Sequence, residues 1–249
     1  MKLKSFPATL KNGTSVLIRE VTRDDRHLLQ IGFQHLSDRA KYFRFLGAHK
    51  NLSERELDKF TATNGPDHVA VGALLNGGPI PEPIGIARYI RLPDQNHIAE
   101  IAITIADSHQ HQGLGSLLLG VLAKFAQLDG ITEFNALVHN ENTAMLGLLN
   151  QFRGAQTALG GVNIEVRIPV SNISAHGSKS TAGNALGDIY IFADTCETLA
   201  GPTRKMINQK SAKLRQIVNF HPEESDNTGP DQPTSVWENE GGAIEGTAR

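Results

Sequence analysis

Residues 110–119 read Gln-His-Gln-Gly-Leu-Gly-Ser-Leu-Leu-Leu, placing Gly113 and Gly115 at the mouth of a long apolar run. Glycines one residue apart let a backbone come close to a ligand, because no Cβ stands in the way. The apolar run predicts a helix from about Gly113 to Asp129, whose first N–H groups lack internal acceptors and sit at the positive end of the helix dipole. Together these make a cradle for an anion, most often a phosphate or pyrophosphate. No lysine of the Walker type follows, so a nucleoside-triphosphate loop is excluded. A plain glycine-softened helix start and a dinucleotide fingerprint remain, the latter with Glu133 twenty residues beyond Gly113 as ribose acid. Against the fingerprint, Leu118 stands where a small residue is wanted, and the strand before the loop belongs to a hairpin series.

The organisation of the chain gives that loop its setting. Val16-Leu17-Ile18 reads as a first strand, and Thr22 or Asp24 as the cap of a helix carrying Leu28, Leu29, Ile31 and Phe33. Ser37 can cap a second helix, and Ser53-Glu54-Arg55-Glu56 is a capping box for a third. Three strands follow at 69–75, 84–92 and 98–105, joined by connections too short for crossover helices, so an antiparallel meander is expected. After the loop and its helix come a strand at 133–138, a helix at 142–152 and a last strand at 162–170. Residues 14–170 thus read as one mixed α/β (α+β) domain after an N-terminal segment, 1–13. From residue 171 small and polar residues dominate, and beyond His221 seven acidic residues face one basic. That composition cannot build a second core, so 171–249 reads as a mostly disordered tail with a helix candidate at 203–218.

With 24 basic and 26 acidic residues the formal charge is −2, which gives no electrostatic reason to expect nucleic acid or an anionic membrane. The single cysteine, Cys196, leaves no intrachain disulfide and no cysteine-based zinc site, and no metal is expected. No segment is long and apolar enough for a signal peptide or a membrane span, so a cytoplasmic location is the expectation.

Gln-x-x-Gly-x-Gly at a helix start, directly after a three-strand meander, resembles the acetyl-CoA pyrophosphate loop of the GNAT N-acetyltransferase superfamily. Further motifs carry the resemblance toward bacterial protein lysine acetyltransferases. They are Leu36-Ser37 with Tyr42 and Arg44-Phe45, Leu52-Ser53 with Glu56-Leu57 and Phe60-Thr61, His68, Ile84-Gly85-Ile86-Ala87-Arg88-Tyr89, Ala99-Glu100-Ile101-Ala102 and Glu141-Asn142-Thr143-Ala144-Met145. The similarity covers about residues 14–170 and implies a GNAT fold. It also implies that backbone groups of Ile103, Thr104 and Ile105 pair with the pantetheine arm. N–H groups from His111 through Gln112, Gly113, Leu114 and Gly115 to Ser116 would hold the pyrophosphate, with Gln110 opening the motif. Asn142 would reach the cofactor side, although Asn is also favoured as a simple cap.

Amide formation needs a neutral amine, whereas a free lysine titrates near 10.4, so a general base is required. Glu100 matches the subgroup's catalytic glutamate; the bland reading is an exposed strand carboxylate. Apolar Ala99, Ile101 and Ala102 would favour its protonated form if it were partly buried. His68 reads as a structural hydrogen-bonding residue and His111 as a solvated loop residue. Two departures stand out: Leu149 replaces the tyrosine that many members use as acid, and Phe152-Arg153-Gly154 replaces a terminal Gly-Phe. The resemblance implies an acyl-CoA-dependent N-acetyltransferase moving the acetyl group of acetyl-CoA to an amine, a protein lysine ε-amine for this subgroup, by direct transfer. An acyl-CoA sensor without catalysis and a small-amine acetyltransferase are the competing readings. Oligomeric state is not legible.

Overall fold

The computed structural model describes residues 5–62, 65–77 and 80–177. Of the tail expected over 171–249, residues 171–177 belong instead to a helix, Val170–Gly177, with Ile173 buried in the core; residues 178–249, with the helix candidate at 203–218, lie outside the described residues. Eight strands pair into one sheet: β1 Phe6–Thr9, β2 Ser15–Glu20, β3 His68–Leu75, β4 Pro83–Leu92, β5 Gln95–Ile105, β6 Glu133–His139, β7 Ala155–Ala158 and β8 Asn163–Pro169. Their spatial order is β1-β2-β3-β4-β5-β6-β8-β7. The β3-β4-β5 meander is antiparallel as expected, and every other pairing is antiparallel except β5 with β6. The sheet begins at Phe6, upstream of the boundary read at residue 14.

Helices cover both faces. On one lie α1 Arg26–Gln34, α2 Asp38–Phe45 and α3 Glu54–Thr61; on the other lies α4 Leu114–Leu128, packed between the sheet and α6 Val170–Gly177. Helix α5, Thr143–Gln151, follows β6. The strand alternation decides which residue meets which layer. Gly85, Ala87 and Tyr89 of β4 face α4, with Leu114 and Leu118 against Gly85, while Arg88 between them turns to α3 and lies over Phe60.

Eleven of the fifteen residues of α4 are buried, among them Leu117, Leu118, Leu119, Val121 and Leu122. A helix apolar all round belongs inside, and α6, with Val170 and Ile173 buried, supplies the second wall. Each fully buried leucine contributes about 1.5–3 kcal/mol.

The serine caps form as read: Ser37 Oγ accepts from Ala40 N–H at 3.2 Å, and Ser53 and Glu56 close a capping box. The first helix differs. A 3-10 turn over Arg23–Asp25 precedes α1, and Asp25 is its cap residue. The Asp25 carboxylate accepts from Thr22 N–H at 2.7 Å and takes a bidentate pair from Arg19 at 2.6 and 2.8 Å, which holds it below the usual carboxylate range despite its burial.

Candidate active site

Strands β5 and β6 begin as neighbours and then part. Their parallel ladder holds only Ile98 with Glu133, Ala99 with Phe134 and Glu100 with Asn135, whereas β5 stays paired to β4 as far as Ile105. From Ile101 to Ile105 one edge of β5 therefore faces a notch in the sheet, and its unpaired backbone groups can accept an added strand-like ligand. At about 3.3 Å per residue the open edge runs roughly 17 Å. Ile103 and Thr104, which the resemblance assigns to the pantetheine arm, lie along it. The carbonyl of Ile105, at its end, already accepts from the Gln110 amide at 3.2 Å.

The glycine loop stands at that open end. The first internal bond of α4 runs from Leu117 N–H to the Gly113 carbonyl at 3.1 Å. The N–H groups of Leu114, Gly115 and Ser116 thus have no acceptor within the helix. Gly113 has φ +89°, a conformation that suits glycine, and His111 reaches φ 59° in the exposed part of the turn. Gly115 is required for packing: a Cβ there would stand 3.0 Å from Leu148 and 3.3 Å from Ile105. The side chains divide into two sets. Leu114 is core, and Gln112 is committed to the loop through a 2.9 Å bond to the Ser108 carbonyl. Backbone N–H groups, with partly exposed Ser116 and exposed His111, are the loop's own groups left to face an anion.

Sequence reasoning placed no cation at this cradle. The fold brings one from the β1–β2 turn: Lys11 donates its N–H to the Gln112 carbonyl at 3.0 Å, and its side-chain carbons come within 3.4–3.6 Å of where a Gly113 Cβ would be. No local signal marks Lys11, because only the pairing of β1 with β2 carries it there.

Glu100 occupies the last rung before the strands separate, in a cross-strand row with Ile90 and Asn135. It is exposed. Ala99 and Ile101 point to the opposite face, and Ala102 shares the face of Glu100. Arg44 of α2 faces both Glu100 and Glu56 electrostatically. Asn135 donates to Glu165 at 2.9 Å, and its own carbonyl oxygen has no partner among the described residues. Across the notch, Tyr42 and Phe43 of α2 meet His139 of β6 with ring centroids 5.5 and 5.4 Å apart. Ser37, at the head of α2, bonds both carboxylate oxygens of Asp107 at 2.8 and 3.0 Å, which ties α2 to the turn before the glycine loop.

Asn142 caps α5 through a 3.1 Å bond from Met145 N–H, so its carbonyl oxygen serves the cap. His68 opens β3; burial, with the Arg88 guanidinium acting in the same sense, pushes its titration down to about 4. It is therefore neutral at ordinary pH. Among the described residues no group of three or more His, Cys, Asp or Glu is placed to hold a metal ion, and no helix is long and apolar enough to cross a membrane.

Comparison with known proteins decides the family. The model of the acetyltransferase (GNAT) family matches residues 34–155. Acetyltransferase PA5475 of Pseudomonas aeruginosa is 31% identical over 140 residues, 56% of this chain and 75% of that protein. The chain belongs to the GNAT acetyltransferase family. It is an acyl-CoA-dependent N-acetyltransferase by that membership. Acetyltransferase Pat from Mycolicibacterium smegmatis is 30% identical over 170 residues, 66% of this chain but 49% of that protein, so the match spans about half of Pat's length. Among solved structures, the GNAT domain of S. lividans PAT superposes with a TM-score of 0.61 at 27% identity, covering 66% of this chain and 96% of that one. The yncA protein of Salmonella typhimurium, solved with its cofactor acetyl-CoA, shares the fold at a TM-score of 0.52 and 16% identity.

Both departures from the GNAT pattern have structural explanations. Leu149 is completely buried in the core, so no hydroxyl faces the notch from that position. After α5, Arg153 takes the left-handed turn at φ 57°, and Gly154 lies so close to β8 that a Cβ would stand 2.6 Å from Val166.

Proposed function

We propose that the chain transfers the acetyl group of acetyl-CoA to a protein lysine ε-amine, with Glu100 as general base. The observation that carries this reading is the position of Glu100 at the closed end of the notch, with the anion cradle of α4 at its open end. The residues present fit such a donor. A strand edge with free backbone groups suits the amide-bearing pantetheine arm, and an uncapped helix N-terminus suits the pyrophosphate. Acetyl-CoA, when bound, supplies the activated acyl carbon.

This chain's own groups do the rest. The open edge of β5 orients the arm, and a β5 backbone N–H is the donor available for the thioester oxygen. Glu100 accepts the proton from the incoming ammonium, directly or through one water, which its exposure permits. The unpartnered Asn135 carbonyl in the same row adds an acceptor suited to a cationic donor. With Leu149 buried, the departing thiolate is left to water. A location in the cytoplasm, where acetyl-CoA and unmodified lysines meet, belongs to the same proposal.

Glu100→Gln is the test. Acetyl-CoA affinity stays within about twofold of the wild type, while kcat on a lysine peptide falls by about 10² to 10⁴. An unchanged kcat would remove Glu100 from the chemistry. Release of CoA thiol with small amines but no lysine peptide would remove the protein acceptor.

A further inference from the structure

The helical face opposite α4 holds a second feature, apart from the glycine loop. A pocket of about 90 Å³ lies between the sheet and α1–α3. Small residues create it. In register across the sheet, Gly72, Ile86 and Thr104 form one row, and Ala70, Arg88 and Ala102 the next. Gly72 on the first row leaves a hollow, and Gly32 of α1 lines its roof. Most of the remaining wall is apolar, including Leu28, Leu29 and Phe33.

Two guanidinium groups border this hollow, Arg44 and Arg88. Arg88 is 5% exposed, stacks on Phe60 at 3.9 Å, and leaves its Nη1 without a hydrogen-bond partner among the described residues. Among the described residues no carboxylate forms an ion pair with either group there. Arg19, at the far end, is different, because Asp25 already neutralises it. A buried cation with an unmade hydrogen bond is costly unless an anion completes it. Arg44 close by adds a second positive charge, which Glu100 and Glu56 face in turn.

We propose that this pocket binds a small aliphatic monocarboxylate, its carboxylate on Arg88 and Arg44 and its apolar body under α1. The size agrees: at about 10–15 Å³ per water-sized occupant, the hollow takes roughly six to nine heavy atoms. A guanidinium donates in a fork matched to a carboxylate, and the apolar walls favour a hydrocarbon tail over a more highly charged, strongly hydrated oxyanion. The site is distinct from the glycine loop, and Arg44 links it to Glu100, which it also faces.

Titration of the full chain with sodium butyrate at constant ionic strength tests the proposal, read by thermal shift and by calorimetry. A saturable rise in Tm is expected, absent with butyramide and with inorganic phosphate, and persisting when the protein is saturated with acetyl-CoA. Arg88→Gln weakens butyrate by about tenfold or more while the acetyl-CoA response is retained. Ile86→Phe fills the pocket without removing a charge and abolishes the butyrate response even if Arg88→Gln does not fold. No saturable butyrate response in the wild type, wild-type affinity in either folded variant, phosphate binding as well as butyrate, or displacement of butyrate by acetyl-CoA would each overturn it. None of these readings needs catalysis, so a failure of the acetyltransferase proposal leaves the pocket separately testable.

Discussion

The proposed anion cradle can be tested at two single residues, Lys11 and Gly113. Lys11→Met removes a cation from the rim of the α4 N-terminus and should weaken acetyl-CoA about two- to fivefold at low salt, with less effect at high salt, by calorimetry. Gly113→Val forces a β-branched side chain into φ +89° beside Lys11, and acetyl-CoA binding should fall below detection. Wild-type affinity in that variant would mean that the cradle is elsewhere. The glycine spacing was legible because φ and close approach are demands on one residue and its neighbours. Lys11 was not, since nothing in residues 1–13 says which loop they will touch. Asn142 shows a third outcome, in which one side chain fits two roles and the geometry displays the cap.

Elements carry the next layer of the argument. The meander and the four strands and helices after it were legible in outline, because short turns and apolar periodicity are local signals. Strands β1 and β7 were not read as elements. Phe6–Thr9 is a four-residue strand with a proline, and Ala155–Ala158 is exposed throughout, so neither shows the alternation that marks a half-buried strand. Between α5 and β7 the contact is close enough to test: Gly154→Ala drives a Cβ into Val166 and the Leu149 carbonyl. A loss of about 1–3 kcal/mol in urea unfolding is expected, with acetyl-CoA affinity of the folded protein unchanged. No loss would show that β8 can yield at that point.

For the molecule as a whole, stability should depend on pH through His68. In the unfolded chain a histidine gains its proton near 6.5, whereas in the fold His68 stays neutral down to about 4. Between those values the unfolded state binds the extra proton, so the contribution is present above about pH 6.5 and is lost as pH falls toward 4. Its size is discounted because the ring is partly exposed. Asp25, held low by Arg19, adds a further loss only below the ordinary carboxylate range. Urea midpoints at pH 7.0 and 5.0 check the first effect: the wild type loses stability, and His68→Gln loses less. Equal losses would assign the dependence to other groups. By itself the sequence determined most of the elements, the serine caps of α2 and α3 and the glycine loop that opens α4, since each rests on periodicity, a capping side chain or a glycine and its immediate neighbours. Glu100 was named there too, but by resemblance. Only the tertiary structure decided that β5 and β6 share three rungs and then part at Glu100, that Lys11 reaches the loop, and that Arg44 and Arg88 meet over a hollow. Those are pairings between distant segments, and register across a sheet is set by all the strands packing together, which no single stretch of chain encodes.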